Sequence, residues 1–517
     1  MKRPGLLAAV LLLTGALLGP VGPAVAAPAT CPAPNPAVPK RQVRAEWIAS
    51  VANIDWPSRP GLAAAEQRAE LTRWFDEAVV RRLNTVVLQV RPTADAFWPS
   101  PFEPWSEWIT GVQGQDPGYD PLSFAVAEAH RRGLELHAWF NPYRVAMHAD
   151  LSRLRPDHPA RTHPDWVVPY GGKLYYNPGI PEVRRFVEDA IMDAVHRYNI
   201  DGVHFDDYFY PYPVAGQQFD DEATYQRHGT AFPVKADWRR DNINRLISEL
   251  SARIHQAKPW VKFGASPFAV WRNKATDADG SDTTAGVQTY DDLAADTRKW
   301  VREQWIDYVV PQVYWNIGFA PADYAKVTAW WASQVDGTGV HFYVGQANHK
   351  VGVSTQAPAW LDPAELAKHL AFNRSHPQVR GDVFFSAKDV RANRLAHMDI
   401  LQAEHYTRPA MIPVVDRLGG RAPHRPFLVS TRTTGAGVRL DWISDPRTAS
   451  FAVYRFDGTS NCAMADATHL LTVARAKSGI VQSFTDTGAQ PGRDYTYVVT
   501  SLDRLHHESD PSNPGHK

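Results

Sequence analysis

Short apolar runs alternate with helical patterns from Arg44 to about Glu404. The runs are rich in β-branched and aromatic residues, as expected of buried parallel strands, and the stretches between them carry apolar residues at helical spacing. Eight predicted strands lie at 44–50, 85–91, 134–140, 201–206, 261–266, 307–314, 340–346 and 382–387. Eight predicted helices lie near 62–83, 120–132, 182–199, 234–257, 288–304, 321–336, 363–374 and 388–404. This repeat predicts an α/β fold, the (β/α)8 TIM barrel.

The lengths of the connections indicate which end of the barrel is functional. Links from helix to strand are short, whereas links from strand to helix are long and rich in Trp, Tyr, Pro and Asp. The long links lie at 92–119, 141–181, 207–233 and 267–287. Barrel enzymes carry their sites on the loops that follow the strands. A doubly wound open sheet is the alternative fold, but the first strand lacks the glycine-rich phosphate turn of that fold.

The start of the chain differs from this repeat. Residues 1–26 combine a basic start, an apolar stretch over 6–18 and the small residues Ala24-Val25-Ala26, which together predict a secretory signal peptide. The apolar stretch is too short to span a membrane. We therefore expect a protein that is secreted or associated with the cell envelope. An N-terminal linker (27–43) would precede the barrel domain (44–408).

Short strand patterns return after the barrel. Residues 409–426 hold four prolines and are predicted to be a linker. Residues 427–510 alternate β-forming residues with turn signals, which predicts a small all-β sandwich. Within this region, Asp494-Tyr495-Thr496-Tyr497-Val498-Val499 resembles part of a fibronectin type III domain.

Composition narrows the possible partners and cofactors. The 55 basic and 55 acidic residues balance, whereas a nucleic-acid-binding protein normally carries a basic excess. Two cysteines, Cys31 and Cys462, are too few for a disulfide scaffold or a thiolate zinc site, and whether they pair is left open. We predict no metal and no cofactor. The 18 Trp against 6 Met are unusual, because a flat indole can pack in a core or stack on a sugar ring.

Strand alternation predicts which side chains face the barrel axis. In the fourth strand Val203 and Phe205 face the helices, so His204 and Asp206 face inward. The same rule turns inward Gln89, Arg91, His137, Trp139, Asn141, Gln312 and Tyr314. Polar groups are costly in a core unless they find partners. We expect the lower members of this set to form a satisfied polar core and the members at the strand ends to form a site.

Three carboxylates near the predicted mouth are candidate catalytic groups. Hydrolysis of an acetal needs one carboxyl group to protonate the leaving oxygen and a second to stabilise or attack the oxocarbenium-like centre. Asp206 is predicted to take the central role, as nucleophile or charge stabiliser. Asp207 is predicted to be the acid or to orient a neighbour, and Asp95 is the reserve acid. The identity of the acid and the stereochemistry are left open.

Aromatic residues cluster in the long loops after the strands: Phe97, Trp98, Trp105, Trp108, Tyr143, Tyr208, Tyr210, Tyr212, Trp271 and Trp315. Rings beside Asn, Arg and Gln side chains are typical of a glycan cleft. The predicted substrate-binding residues are Arg91, Trp98, Asn141, Tyr143, Arg144, His204, Tyr208, Gln312, Tyr314 and Trp315. Other tryptophans lie on strand or helix patterns and are predicted to pack in the core: Trp47, Trp300, Trp330 and Trp331.

Six segments carry a resemblance to a known family. They are AEWIASVANIDWPS (45–58), VVLQVRPTADAFWPSPFEPWS (86–106), HAWFNPYR (137–144), DGVHFDDYFYPYP (201–213), GASPFAVWRN (264–273) and WIDYVVPQVYWN (305–316). In this order they resemble the glycosyl-hydrolase-like family 10 proteins of bacterial envelopes. The resemblance implies a TIM-barrel glycosidase whose polysaccharide substrate is a cell-wall glycan. Some members of that family act on peptidoglycan strands stripped of their peptides. It assigns Asp206 and Asp207 to the centre of the site.

The fourth strand also resembles the chitinase pattern DGxDxDxEYP, but it lacks the glutamate that serves as the catalytic acid in that pattern. Tyr208 stands at the position of the chitinase Glu, and His204 replaces an Asp. A catalytically inactive glycan-binding envelope protein is therefore one alternative. A less favoured alternative is a metal-dependent amide or ester hydrolase that uses His137, His204 and His341, because the first strand lacks the His-x-His pair usual in barrel metallohydrolases.

Overall fold

The computed structural model describes residues 35, 38–458 and 464–517. Eight parallel strands close into a barrel, helices surround it, and antiparallel sheets follow in the C-terminal region. The predicted (β/α)8 barrel followed by a small all-β sandwich is confirmed, and the open-sheet alternative is excluded. The predicted signal peptide, Cys31 and Cys462 lie outside the described residues, so cleavage and export stay predictions, and whether the two cysteines pair stays open.

All eight predicted barrel strands overlap observed ones. The strands of this part are β1 (Val43–Ile48), β2 (Thr85–Arg91), β3 (Glu135–Phe140), β4 (Arg144–Ala146), β5 (Val167–Tyr170), β6 (Lys173–Tyr176), β7 (Gly202–Phe205), β8 (Lys262–Ala265), β9 (Tyr308–Val309), β10 (His341–Gln346) and β11 (Val379–Phe384). Their order around the barrel is β1-β11-β10-β9-β8-β7-β3-β2. Strands β4, β5 and β6 form a separate antiparallel sheet in the connection after β3.

The barrel strand predicted at 307–314 is much shorter than expected. Regular pairing in β9 ends at Val309, and Pro311, which has no backbone N–H to donate, follows two residues later. Gln312 beyond it still forms isolated bridges to Phe268 and Gly345. The chain therefore stays extended past the strand and carries Gln312 to the carboxyl end of the barrel.

All eight predicted helices are observed, two of them split in two, and three short helices in the connections after the strands were not predicted. Their bounds are α1 (Ala64–Val80), α2 (Glu107–Thr110), α3 (Pro121–Arg131), α4 (Pro159–Thr162), α5 (Pro181–Arg197), α6 (Glu222–His228), α7 (Lys235–Ala257), α8 (Thr289–Asp292), α9 (Thr297–Arg302), α10 (Tyr324–Val335), α11 (Glu365–Asn373), α12 (Ala387–Ala392) and α13 (His397–Glu404). Left-handed backbone at Ala294, and again at Asn393 and Leu395, interrupts the helical hydrogen bonds. Within the described residues, no helix combines the length and apolarity needed to cross a bilayer.

Side chains of the barrel strands alternate between two cores. Val203 and Phe205 of β7 pack against the surrounding helices. Trp47 of β1, Trp139 of β3 and Tyr308 of β9 pack inside the barrel. The alternation predicted for the fourth strand therefore holds, and the barrel interior is filled by aromatic rings as well as polar groups.

The C-terminal region is a sandwich of two antiparallel sheets. Its strands are β12 (Phe427–Thr434), β13 (Gly437–Ile443), β14 (Ser450–Asp457), β15 (Leu470–Arg475), β16 (Val481–Asp486), β17 (Tyr495–Leu502) and β18 (Gly515–His516). One sheet has the order β12-β13-β16 and the other β15-β14-β17-β18. Leu440, Trp442, Phe451 and Tyr497 pack between them. The last strand ends at His516, beyond the predicted limit of residue 510.

The sandwich is docked on the amino-terminal face of the barrel. His506 Nε2 lies 2.7 Å from Glu135 Oε1 at the start of β3, and Arg504 Nη2 lies 3.4 Å from Asp201 Oδ1 just before β7. The segment 409–426, predicted to be a linker, packs Met411 between the two parts. The domains therefore share a buried, charged interface.

Candidate active site at the carboxyl ends of the strands

A cleft of about 290 Å³ opens at the carboxyl ends of the barrel strands. It is lined by Trp47, Ala49, Val51, Ala52, Ile54, Gln89, Trp139, Arg144, Met147, Lys173, Asp206, Asp207, Tyr208, Ser266, Gln312, Tyr314, His349 and Phe385. A wider concavity of about 680 Å³ lies elsewhere, around Trp105, Arg155 and Arg197. The smaller cleft is the candidate active site, because it lies at the carboxyl ends of the barrel strands and holds the adjacent buried carboxyl groups of Asp206 and Asp207.

Asp206 follows β7 directly and is almost completely buried. Its Oδ2 accepts a hydrogen bond of 2.5 Å from Asn141 Nδ2, and its Oδ1 accepts one of 3.1 Å from the Tyr208 backbone N–H. Burial and, to a smaller extent, the adjacent Asp207 carboxylate raise the pKa of Asp206 to about 7. At neutral pH this carboxyl group can therefore hold a proton.

Asp207 is held by two donors from other parts of the site. The Tyr212 hydroxyl donates to Asp207 Oδ2, and Gln312 Nε2 donates to Oδ1 at 3.0 Å. Burial raises the pKa of Asp207 above its usual value, and the hydrogen bonds from Tyr212 and Gln312 oppose that rise. Two adjacent buried carboxyl groups titrate as a pair, so one proton is shared between them over part of the pH range. One acid and one base can thus coexist in the cleft.

Asn141 is oriented so that its amide nitrogen faces Asp206. Its Oδ1 accepts hydrogen bonds from Gln89 Nε2 at 2.6 Å and from Arg144 Nη2 at 2.9 Å. Because both donors meet the amide oxygen, the amide nitrogen is left to donate to Asp206. The guanidinium of Arg144 also lies 5.0 Å from the centre of the Tyr208 ring. Side chains from β2, from β4 and from the segment after β3 therefore position the Asp206 carboxyl group together.

A column of hydrogen-bonded side chains continues below the cleft. Trp47 Nε1 donates to His204 Nε2 at 3.1 Å, so the proton of His204 is assigned to Nδ1, which faces the Tyr308 hydroxyl at 3.1 Å. The same hydroxyl lies 2.8 Å from His137 Nδ1, and His137 Nε2 lies 3.0 Å from Glu135 Oε2. Burial holds the pKa of His204 well below its usual value, so this ring is neutral.

Several predicted site residues meet in the cleft. Asp206, Asp207, Arg144, Tyr208, Gln312 and Tyr314 line it. Asn141 does not line the cleft itself but donates a hydrogen bond to Asp206 from beneath the cleft wall. His204 lies one layer below, where it contacts the lining residues Trp47 and Ser266.

Two charged residues predicted for the site do not reach the cleft. Asp95 is fully buried, accepts hydrogen bonds from the Thr93 backbone and hydroxyl, and is not among the lining residues, so it is not placed to act as an acid. Arg91 forms a buried ion pair with Glu103. A bulge between Gln89 and Arg91 pairs Arg91 with Phe140, which faces the helices. The inward prediction for Arg91 failed because the bulge reverses the alternation.

Three aromatic residues predicted to bind substrate lie outside the cleft as well. Trp98 and Tyr143 are fully buried in the core between barrel and helices. The Trp98 indole donates to Asp193 on α5 at 2.7 Å, so its polar atom is already used. Trp315 is half-buried against Phe268 and does not line the cleft. Their loop positions alone did not distinguish packing from binding.

Other lining residues were missed. Trp47, predicted to pack in the core, faces the cleft floor, and alternation along the first strand could have indicated this. Lys173 reaches the cleft from the β5–β6 hairpin, whose Gly171-Gly172 turn is a recognisable hairpin signal. His349 and Phe385 follow β10 and β11, and their sequences gave no specific signal.

The histidines proposed for a metal-dependent mechanism do not form a donor cluster. His137, His204 and His341 contact tyrosine hydroxyls inside the barrel, at Tyr308, Tyr308 and Tyr343 respectively. Across the described residues, no three His, Cys, Asp or Glu side chains are grouped so as to hold an ion. The donor arrangement therefore does not favour that alternative.

The chain is similar in sequence to a described protein family and to bacterial relatives. The family described as Glycosyl hydrolase-like 10 matches residues 42–362. Glycosyl hydrolase YngK of Bacillus subtilis (strain 168) is 48% identical over 477 residues, which cover 91% of this chain and 92% of that protein. Glycosyl hydrolase DigH of Escherichia coli (strain K12) is 39% identical over 407 residues, which cover 74% of this chain and 92% of that protein.

The chain is less similar in sequence to solved structures. The glycoside hydrolase domain of PgaB (BpsB) from Bordetella bronchiseptica is 14% identical with a TM-score of 0.46, and the match covers 71% of this chain and 99% of that one. The endo-1,4-beta-mannanase from Rhizomucor miehei is 12% identical with a TM-score of 0.43, and the match covers 70% and 95%.

Proposed function

The chain belongs to the glycosyl hydrolase-like 10 family, and from this premise we propose that it is a secreted glycoside hydrolase of the cell wall. Its substrate would be a cell-wall glycan, peptidoglycan strands free of peptides. The observation that carries the proposal is the buried pair Asp206 and Asp207 at the floor of the cleft. Most glycoside hydrolases use a pair of carboxyl groups beside the scissile bond as their catalytic groups.

The two carboxyl groups take different roles in the proposed reaction, and these are the reverse of the roles predicted from the sequence, because the pKa raised to about 7 is that of Asp206. Asp206 has the pKa raised to about 7, so it holds the shared proton and gives it to the glycosidic oxygen as the bond to the anomeric carbon breaks. Asp207, whose oxygens accept hydrogen bonds from Tyr212 and Gln312, stays ionised and stabilises the positive charge on the sugar. Water then adds to the anomeric carbon, and its proton returns to the pair.

Aromatic walls support a sugar ligand. Trp47, Trp139, Tyr208, Tyr314 and Phe385 line the cleft around the carboxylates. The faces of sugar rings are apolar and their rims carry hydroxyl groups, so aromatic faces mixed with amide and charged side chains match both parts.

Replacing Asp206 tests the proposal. We expect Asp206→Asn to lower the release of reducing ends from peptide-free glycan strands by at least about 100-fold, because the proton donor is lost. Binding of the strands should remain measurable by calorimetry.

Asp95→Asn is the matched control, since Asp95 is an equally buried carboxyl group outside the cleft. This variant, if folded by circular dichroism, should retain most of the wild-type rate. Full activity of Asp206→Asn, or equal losses in both folded variants, would contradict the assignment. Glycan binding by the wild-type protein without any release of reducing ends would instead support the inactive binding protein.

The ends of the chain complete the proposal. The basic start, apolar stretch and Ala24-Val25-Ala26 support export, with cleavage before Ala27. The sheets of three and four strands, β12-β13-β16 and β15-β14-β17-β18, support a fibronectin type III-like domain.

A further inference from the structure

The cleft contains a lysine without an acidic partner. Lys173 lines it beside Arg144. Burial and the nearby positive charge of Arg144 lower the pKa of Lys173, and no carboxylate of the described chain raises it. Lys173 is half-buried, and most of the fully buried cations in the described residues are paired with a carboxylate, as Arg91 is with Glu103. An amine that is partly removed from water next to a like charge gains from an anionic ligand.

Arg144 is also bound to neutral groups rather than to a carboxylate. Its Nε donates to the Pro92 carbonyl at 3.0 Å, and its Nη2 donates to Asn141 Oδ1 at 2.9 Å. These bonds fix the guanidinium without neutralising its charge.

The position of Lys173 is built into the fold. It is the first residue of β6, directly after the Gly171-Gly172 turn, in which both glycines have positive φ. The Gly171 N–H donates to Gln217 Oε1, and the Val214 N–H donates to the Tyr170 hydroxyl. The tip of the hairpin is therefore held by the loop that begins at Asp207, and Lys173 is kept at the cleft.

The charges of the cleft do not balance. In the form with Asp206 protonated and Asp207 ionised, the carboxyl pair contributes one negative charge. Arg144 and Lys173 contribute two positive charges. His349 is neutral because burial lowers its pKa. In that form the charged side chains of the cleft sum to +1, which a substrate with one negative charge would cancel.

We propose that Lys173 and Arg144 form a subsite for a carboxylate carried by a sugar next to the scissile bond. This inference rests on the proposed function and names the substrate chemistry more closely. In peptidoglycan the lactyl ether of the muramic sugar carries such a carboxylate only when the peptide has been removed, since the peptide is attached through an amide. The subsite therefore gives a physical reason for selecting peptide-free strands. A uronic acid has the same charged group and is the other source of this chemistry.

The test compares substrates that differ only in this charge. Wild-type protein and Lys173→Met are given peptide-free glycan strands and the same strands whose carboxylates have been chemically reduced to alcohols. We expect wild type to prefer the carboxylate form by about 10-fold or more in kcat/KM, as a charge-assisted hydrogen bond allows. Lys173→Met should lose that preference. The preference of wild type should also weaken as salt rises.

Lys274→Met is the matched control, because Lys274 is an exposed lysine in the loop after β8 and does not line the cleft. It should keep the wild-type preference. Equal kcat/KM of wild type on both substrates, or an unchanged preference in Lys173→Met, would overturn the subsite. Cleavage of an oligouronide in place of the lactyl strands would identify the other source.

A binding measurement separates this inference from the proposed function. Asp206→Asn and the double variant Asp206→Asn/Lys173→Met are titrated with a peptide-free disaccharide. They are also titrated with the same disaccharide after its carboxylate has been reduced to an alcohol, the reduced form. The subsite predicts at least about 10-fold weaker binding of the carboxylate form on loss of Lys173, and little change for the reduced form. This result would stand even if wild type cleaved no glycan. Equal affinities of the two proteins for the carboxylate form would overturn it.

Discussion

At the scale of single residues, Asp206 and Asp207 set how the proposed activity depends on pH. Activity requires Asp206 to be protonated and Asp207 to be ionised. The pKa of Asp206 is raised to about 7 by burial and by Asp207, so kcat/KM should fall as the pH rises through about 7. It should also fall at low pH, as Asp207 becomes protonated at a pKa raised by burial. A profile of kcat/KM against pH on glycan strands measures both limbs.

The assignment of the alkaline limb can be checked without turnover. Asp207→Asn removes a negative charge beside Asp206, so the pKa of Asp206 should fall toward its usual value while burial still holds it raised. The ¹³C resonance of the Asp206 carboxyl group, followed through a pH titration, reports this pKa. An Asp206 pKa equal in both proteins would contradict the coupling.

Part of the site could be predicted residue by residue. Alternation along the fourth strand was enough to turn His204 and Asp206 inward, because a strand of four buried residues has little freedom. The role of Lys173 could not be predicted in this way. Its position depends on the packing of one loop against another, which no periodic pattern in the sequence records.

At the scale of elements, the bulge in β2 explains why Arg91 serves the fold rather than the ligand. Arg91 forms a buried pair with Glu103 and also donates to the carbonyl groups of Asn141 and Pro142. The composition of residues 85–91 is enough to predict a strand. The register shift after Gln89, in contrast, arises from the pairing of β2 with β3. All eight barrel strands were predictable, because the periodicity of apolar residues indicates which positions are buried. The bulge was not predictable, because the same periodicity does not indicate the register between strands.

Removing one partner of this pair should cost stability. Arg91→Met leaves Glu103 as an unpaired buried charge, and we expect the free energy of unfolding to fall by roughly 3–5 kcal/mol. The double variant Arg91→Met/Glu103→Met should recover much of this loss, because neither charge remains. Urea denaturation followed by tryptophan fluorescence measures both. A stable Arg91→Met with a raised KM for glycan would instead support the binding role predicted for Arg91.

At the scale of the whole molecule, the sandwich and the barrel are joined through a buried cluster of charges. Glu135 at the start of β3 accepts hydrogen bonds from Lys262 at 2.5 Å and from His506 of the sandwich at 2.7 Å. His137 on the other side of Glu135 leads through Tyr308 to His204 and the cleft floor. The sandwich thus closes the end of the barrel opposite the cleft and contacts the base of its polar interior.

This arrangement makes the sandwich part of the folded barrel. His506→Ala should lower the free energy of unfolding by about 1–3 kcal/mol, because a buried charge-assisted hydrogen bond is lost. His516→Ala, which alters an exposed histidine on β18 of the same sandwich, should have little effect. Thermal denaturation monitored by calorimetry compares them. Equal melting temperatures for His506→Ala and wild type would show that the interface does not stabilise the protein.

The domain order could be read from the sequence, but the docking could not. The change from strand-helix repeats to short strands marked the sandwich, whereas the proline-rich segment 409–426 suggested a simple connection. Met411 within that segment is fully buried between the two parts. Interfaces between domains depend on the match of two folded surfaces, which local patterns do not encode.

We propose that Asp206 and Asp207 together hydrolyse a glycosidic bond in peptide-free cell-wall glycan. The most direct measurement incubates wild type and Asp206→Asn with such strands in water enriched in oxygen-18 and weighs the products by mass spectrometry. Wild type should release shorter strands, each with one heavy oxygen at its new reducing end, and Asp206→Asn should release none. Intact strands with wild type, or fragments without heavy oxygen, would contradict this proposal.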